Sequence, residues 1–147
     1  MLAIEVAQEW LCIPIYHLSL EPMSGPGETK RGELQTRTKS FAVRIIKMYV
    51  ALKTSDVATQ VIGKQLLRSG TSVGAQYREA TRARSRAEFV SKVESTLQEI
   101  EETRYWFELL IEADLVPAKR LQPLMDEAAE LTAMLTASAR TTKRRAK

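Results

Sequence analysis

The chain has 147 residues, 44% of them hydrophobic, which suits a single domain with a hydrophobic core. With one cysteine and one histidine it cannot form an internal disulfide and lacks the usual means of building a zinc site or a histidine-based catalytic site, so a cytoplasmic protein in a reducing compartment is expected. The net charge of +4 is moderate, and no apolar run is long enough to span a bilayer, so no membrane contact is expected.

Residues 1–37 differ in character from the rest of the chain. Residues 2–20 mix apolar and polar side chains without a sustained period, and residues 21–36 are rich in proline, glycine, serine and charge. We expect an N-terminal extension whose second half is flexible. Met23 is a candidate alternative start to Met1, an idea that mass spectrometry would contradict by finding Met1 or Leu2 at the native N-terminus.

Apolar residues at helical spacing predict the first helix, from about Thr38 to Lys53. Ser55 and Asp56 then offer side-chain oxygens that can cap a second helix. The apolar stripe of the first helix contains Phe41, Ile45, Met48, Tyr49 and Leu52.

The second helix has to pass through a run of small residues at 69–75. Gly70 and Gly74 each cost about 1 kcal/mol relative to alanine inside a helix, so propensity alone would break the helix here. A heptad-like apolar series nevertheless crosses the run and reaches Tyr77. The pattern therefore favours a continuous helix over a loop, with small side chains such as Ser69 permitting close approach of a neighbouring helix.

A capping box marks the start of the third helix. Ser85 and Glu88 have the S-x-x-E spacing directly before an apolar pair, and the helix is predicted to close near Asp114, ahead of Pro117. Glutamates at positions 94, 101 and 108 recur every seven residues and form a carboxylate stripe. No Glu-x-x-His motif accompanies them, so a di-iron site is not expected. The stripe is interpreted as a solvated face or a partner for basic residues.

Proline decides the predicted start of the fourth helix. Because an interior proline costs about 3 kcal/mol, Pro123 is placed in the first turn, and residues 116–122 become an irregular or single-turn connection. The helix should end near Ala139, and residues 140–147 are predicted to be a basic tail too polar to pack. Together the four segments predict an all-α, up-down-up-down antiparallel four-helix bundle over residues 38–139.

Residues 65–80, with the sequence QLLRSGTSVGAQYREA, closely resemble the signature of the four helix bundle protein family, known also as 23S rRNA intervening-sequence proteins. Ser85, the Glu88–Phe89 pair, Lys92 and residues 101–110 also resemble that family's third helix. Two features depart from the family: Gln76 replaces its usual asparagine, and residues 1–37 have no counterpart.

The resemblance implies properties that composition does not show. Members of this family are small bundles that assemble as homopentameric rings. One branch is the accessory variability protein of diversity-generating retroelements, which binds nucleic acid and a reverse transcriptase. The resemblance therefore implies self-association, with RNA or DNA and a reverse transcriptase as candidate partners.

Charge separation is the remaining functional signal. Residues 64–92 hold seven basic residues against two acidic ones, whereas residues 94–114 hold seven acidic residues against one basic residue. Phosphate contacts are the function expected of the basic residues at the turn and the tail. The residues predicted to bind nucleic acid are Arg78, Arg82, Arg84, Arg86, Arg140, Lys143, Arg144 and Arg145.

A second group is predicted to serve packing or subunit contacts: Ser69, Gly70, Gly74, Tyr77 and Trp106. The leading hypothesis is a non-enzymatic, oligomeric nucleic-acid-binding protein or ribonucleoprotein accessory factor, without catalytic residues, metal or cofactor. The alternative is a structural protein–protein interaction oligomer with no nucleic-acid ligand, whose arginines pair with the acidic third helix across a subunit boundary.

Overall fold

The computed structural model describes residues 30–52 and 55–145, so the predicted extension up to residue 29 and the choice between Met1 and Met23 lie outside it. The described residues form four α-helices and no strand. Each helix packs against two others, α1 on α2 and α4, and α3 on α2 and α4, which makes a bundle. The helices are α1 (Lys30–Ala51), α2 (Val57–Ala80), α3 (Arg86–Glu112) and α4 (Ala118–Arg144).

One hydrophobic core fills the bundle, and every helix contributes to it. Fully burying a large apolar side chain contributes about 1.5–3 kcal/mol, so these side chains supply most of the driving force for packing. The largest fully buried side chains are Phe41 and Ile45 from α1, Leu66, Val73 and Tyr77 from α2, Val93, Ile100, Phe107 and Leu110 from α3, and Leu121, Leu131 and Leu135 from α4.

Helix α1 begins at Lys30, ahead of the predicted Thr38, so residues 30–37 are helical rather than part of a flexible extension. Leu34 is buried, seven residues before the buried Phe41 and in phase with it. The Arg37 guanidinium also binds two carboxylates of α4. This first part of α1 carries little apolar sequence, and contacts with other helices stabilise it instead.

Helix α2 is continuous through the small-residue run, as predicted. Its N-cap is Asp56, whose carboxylate accepts hydrogen bonds from Thr59 N at 2.7 Å and from the Thr59 hydroxyl at 2.6 Å. These hydrogen bonds to the charged form hold the pKa of Asp56 below its usual value. The predicted cap therefore begins α2.

The small residues of α2 let α1 approach closely. A Cβ on Gly70 would lie 2.7 Å from Ile45 Cγ1, and a Cβ on Gly74 would lie 3.3 Å from Thr38 O. On the α3 side, the buried Ser69 Oγ is 3.0 Å from Thr103 Oγ1. The predicted packing role of Ser69, Gly70 and Gly74 thus operates between helices of one chain.

The predicted capping box starts α3. Ser85 Oγ accepts a hydrogen bond from Glu88 N at 3.0 Å, and the Glu88 carboxylate accepts one from Arg84 N at 2.8 Å, one residue before the usual N-cap nitrogen. At the other end, Asp114 adopts a left-handed conformation with φ of 55°. Leu110 O then accepts hydrogen bonds from the next two amides at 3.0 Å each, which closes α3.

The predictions for both ends of α4 are wrong. The helix begins at Ala118, which places Pro123 in its second turn and makes most of the predicted connection at 116–122 helical. It continues to Arg144, so residues 140–144 belong to the helix. The last turns also pack, because Lys143 Nζ forms an ion pair with Glu94 Oε1 of α3 at 2.7 Å.

Within the described ranges, none of the helices is long and apolar enough to cross a membrane. The same residues contain no group of three or more histidine, cysteine, aspartate or glutamate side chains arranged to hold a metal ion.

Candidate nucleic-acid interface

Cations from all four helices gather where α1 begins, α2 ends, α3 begins and α4 ends. We call this cluster the basic end. It contains the eight residues predicted to bind nucleic acid and adds two residues of α1. Its members are Arg31, Lys39, Arg78, Arg82, Arg84, Arg86, Arg140, Lys143, Arg144 and Arg145.

Contacts between α3 and α4 bring two of the predicted groups together. The Arg86 guanidinium donates a hydrogen bond to the Arg145 carbonyl at the C-terminus of α4, where a positive charge also complements the helix dipole. A shallow groove beside this contact is lined by residues that include Arg86, Ser91, Thr142 and Lys143. The start of α3 and the end of α4, which are far apart in sequence, therefore form one surface.

A second groove runs between α1 and α2. Arg78 lies in the last turn of α2, Arg82 lies in the turn that follows α2, and Lys39 lines the same groove from α1. All three side chains are exposed, and none forms an ion pair with another described residue. The close approach at Gly74 gives this groove a narrow floor with three free cations on its rims.

Arg31 belongs to the basic end but was not among the predicted site residues, because its segment was assigned to the flexible extension. Its guanidinium lies 4.4 Å from the centre of the Phe89 ring, a cation–π contact that fixes the start of α1 over α3. It also lines a groove together with Arg145 and Thr141. Leu34, in phase with Phe41, is the sequence signal that could have revealed it.

Three further cations of the predicted site, Arg84, Arg140 and Arg144, are exposed, and one of them forms an ion pair. Arg84 Nε lies 3.9 Å from Glu88 Oε2, but the Arg84 side chain is 93% exposed, so this contact restrains it little. Arg140 and Arg144 are exposed and form no ion pair within the described residues.

Several carboxylates of α3 are paired inside the chain. Arg68 of α2 forms an ion pair with Glu102, and a longer one of 3.9 Å with Glu99. The hydrogen bond from Arg68 lowers the pKa of Glu102, whereas burial raises the pKa of Glu99. These pairs lie away from the basic end and leave the cations of the α1–α2 groove available to an external anion.

The two aromatic residues predicted to serve packing do pack. Tyr77 is fully buried, and burial raises the pKa of its hydroxyl, which has no hydrogen-bond partner in the described part of the chain. Trp106 is half-buried against the core, and its Nε1 donates a hydrogen bond of 3.1 Å to Glu102 Oε1. Neither ring is a free platform for stacking bases.

Comparison with known proteins agrees with this fold. Residues 32–137 match the model of the 23S rRNA-intervening sequence protein family. The chain belongs to this family. The match confirms the resemblance carried by residues 65–80. It begins inside the first turn of α1, so the prediction that residues 1–37 have no counterpart in the family is wrong for residues 32–37.

A solved structure with the same fold supports the assignment. It is described as a protein with unknown function from the S23 ribosomal protein family of Bacteroides thetaiotaomicron, and it is 35% identical to this chain with a TM-score of 0.68. The similarity covers 76% of this chain and 99% of that one. None of the curated proteins matches this chain significantly.

Proposed function

We propose that this protein is a non-enzymatic, oligomeric nucleic-acid-binding or ribonucleoprotein accessory protein that uses its basic end to bind a phosphate backbone. The observation that supports the proposal is that cations from all four helices lie close together at the basic end. Three of these cations, Lys39, Arg78 and Arg82, line the α1–α2 groove and form no ion pair with another described residue. Such a surface attracts polyanions through counterion release and needs no base contact. Membership of a family named for an rRNA intervening sequence is consistent with it.

Binding through this surface should depend little on sequence. Phe89 lies under Arg31 of the basic end and is buried, so its ring is not available to stack on a base. The arginine side chains can instead bind phosphate oxygens in a bidentate manner. The proposal therefore includes contacts to phosphates and no recognition of individual bases.

The proposal also includes the antiparallel arrangement of the helices. Contacts between α1 and α4 support it, since Arg37 binds Glu127 while Arg44 binds Pro123 O at 3.1 Å, so one residue number rises as the other falls. The contacts of α2 glycines with α1 follow the same rule: a Cβ on Gly63 would approach Leu52, and one on Gly70 would approach Ile45.

Two further parts of the proposal rest on the family: assembly as a homopentameric ring, and a reverse transcriptase as the protein partner. The cytoplasm is proposed as the location because the chain has a single cysteine. A ring would repeat the basic end around an axis and multiply its charge. A reverse-transcriptase gene beside the gene for this protein would support that partner. A position inside a ribosomal RNA gene would favour an RNA ligand instead.

Fluorescence anisotropy with a structured RNA and a duplex DNA, at low and high salt, tests the proposal. Replacing Arg78 and Arg82 with glutamine should weaken binding of both probes at least tenfold at low salt, because two phosphate contacts are lost. The matched control replaces Lys119 and Arg120, cations in the first turn of α4, with glutamine and should change binding little. An absence of binding by the wild type at low salt would contradict the proposal and favour the structural protein–protein oligomer.

A further inference from the structure

Five aliphatic side chains are exposed along the second half of α1 and the first two turns of α2. Three recur on α1 at spacings of three and four residues, and two more lie one turn apart at the start of α2, so each set shares a helix side. Their exposed fractions range from 40% to 78%. We call this surface the aliphatic patch; its members are Val43, Ile46, Val50, Val57 and Val61.

The two parts of the aliphatic patch lie on helices that pack tightly against each other near Gly63. A Cβ on Gly63 would lie 2.8 Å from Leu52 Cδ2 and 3.2 Å from Tyr49 Cε2. Lys64 is exposed beside the patch and forms no ion pair with another described residue. The surface is thus apolar with a cation at its edge, which is costly to leave in water and fits an apolar surface that carries carboxylates.

Helix α3 carries a surface of that chemistry on its outward side. Tyr105 is 51% exposed, and exposed glutamates flank it. The centre of its ring lies 5.0 Å from the centre of the Trp106 ring, in an edge-on arrangement. Glu108 and Glu112 form no ion pair within residues 30–52 and 55–145. We call this surface the tyrosine stripe; its members are Glu101, Tyr105, Glu108 and Glu112, at spacings of three and four residues.

We propose that the aliphatic patch of one copy of this chain binds the tyrosine stripe of a second copy. Tyr105 would insert among the valines while a carboxylate of the stripe pairs with Lys64. Tyrosine suits such a site because it buries a large apolar area with little loss of side-chain entropy. The inference rests on the oligomer in the proposed function and assigns the surfaces that build it.

Contact between unlike surfaces is favoured over contact between two patches. Two patches placed face to face would bring the Lys64 side chains of both copies into one interface. The carboxylate next to Val57, that of Asp56, already accepts two hydrogen bonds from Thr59 as the N-cap of α2. Helices α1 and α3 each pack on both α2 and α4, so α1 and α3 lie diagonally opposite each other in the bundle. The patch and the stripe therefore lie on different sides, and each copy can bind two others, as a closed ring requires.

Two variants and their mixture test the inference by light scattering coupled to size exclusion. The patch variant carries Ile46→Asp and Val50→Asp, and the stripe variant carries Tyr105→Asp and Glu108→Lys. Each variant alone should be monomeric, and an equimolar mixture should give heterodimers and nothing larger, since only one intact patch and one intact stripe can meet. All changed side chains are exposed, and circular dichroism checks that the helices remain. The control Ala133→Asp, on the exposed side of α4, should leave the oligomer unchanged.

Each other outcome overturns the inference in a recognisable way. A stripe variant that stays oligomeric would mean that patches bind each other, and two oligomeric variants would place the contact elsewhere. A monomeric wild type would remove both this inference and the oligomer of the proposed function. Nucleic-acid binding is measured separately on the same samples, so the phosphate-binding role of the basic end can fail or hold independently.

Discussion

Gly70 shows how one residue can determine the distance between two helices. Its missing side chain is where Ile45 of α1 packs, and a Cβ there would lie 2.7 Å and 2.8 Å from the two γ carbons of that isoleucine. Both γ carbons sit directly on the branched Cβ, so they cannot rotate away together. Either the helices separate or Ile45 leaves its preferred rotamer.

We therefore expect Gly70→Ala to destabilise the protein. Overpacking of about 1–3 kcal/mol should outweigh the helix-propensity gain of about 1 kcal/mol, giving a net loss of up to roughly 2 kcal/mol in the free energy of unfolding. Gly74→Ala is the matched control, because its Cβ would meet Thr38 O at 3.3 Å and the Ala42 Cβ at 3.7 Å. Urea denaturation of both variants measures the difference, and an equal or larger loss for Gly74→Ala would contradict this account.

The sequence could predict that residues 69–75 pack closely, but not against what. Small residues within a heptad-like series indicate a close neighbour, and α2 is indeed continuous there. The partner of each glycine depends on the axial register of two helices, which no local pattern encodes. Ile45 opposite Gly70 is therefore information that only the structure supplies.

At the scale of the helix, the first part of α1 depends on contacts with distant sequence. Arg37 binds Glu127 through two hydrogen bonds, from Nε to Oε1 at 3.1 Å and from Nη2 to Oε2 at 3.0 Å. Its side chain is 26% exposed and that of Glu127 is 13% exposed, so water screens this pair less than a surface pair. The bidentate geometry joins α1 to α4.

Replacing Arg37 with alanine should lower the free energy of unfolding by about 1–2 kcal/mol, because it leaves the Glu127 carboxylate partly buried without its partner. Removing the second acceptor, by Glu130→Ala, should cost less than about 0.5 kcal/mol, since that side chain is 66% exposed. Guanidinium chloride is unsuitable because it screens ion pairs, so urea titration is the measurement. Equal effects of the two substitutions would show that burial does not set the strength of this contact.

Helix interiors were predictable from the sequence, whereas helix ends were not. Apolar periodicity and the capping residues Asp56 and Ser85 located α2 and α3 closely. The start of α1 offers one buried apolar residue, Leu34, and the end of α4 is mostly basic, so periodicity fades there. Pro123 gave an error of the same kind, a helix predicted too short, since a helix that packs against two neighbours accepts a proline in its second turn.

For the whole molecule, the difficulty of predicting helix ends also limits how much of the candidate site could be predicted. The turn arginines and the last-turn cations were found separately, because charge can be counted along a sequence. These two groups meet at the basic end because α4 continues as a helix beside α3. Arg31 joins them because α1 starts early, and Lys39 joins them because of the way α1 packs on α2. Charge composition thus indicates a ligand class, while the arrangement of helices determines which cations act together.

An oligomer should bind nucleic acid more steeply with salt than a monomer does. The slope of log K against log salt is about −0.9 for each duplex phosphate neutralised, so basic ends from several subunits should add to it. The monomeric patch variant, Ile46→Asp with Val50→Asp, retains the whole basic end. Its slope should be smaller in magnitude by at least about 0.9, the contribution of one phosphate, and its affinity should be at least tenfold weaker. Anisotropy titrations of a duplex DNA between about 50 and 200 mM salt measure both quantities. If the patch variant is monomeric yet keeps the slope and affinity of the wild type, one subunit supplies the complete phosphate-binding surface and assembly serves another purpose.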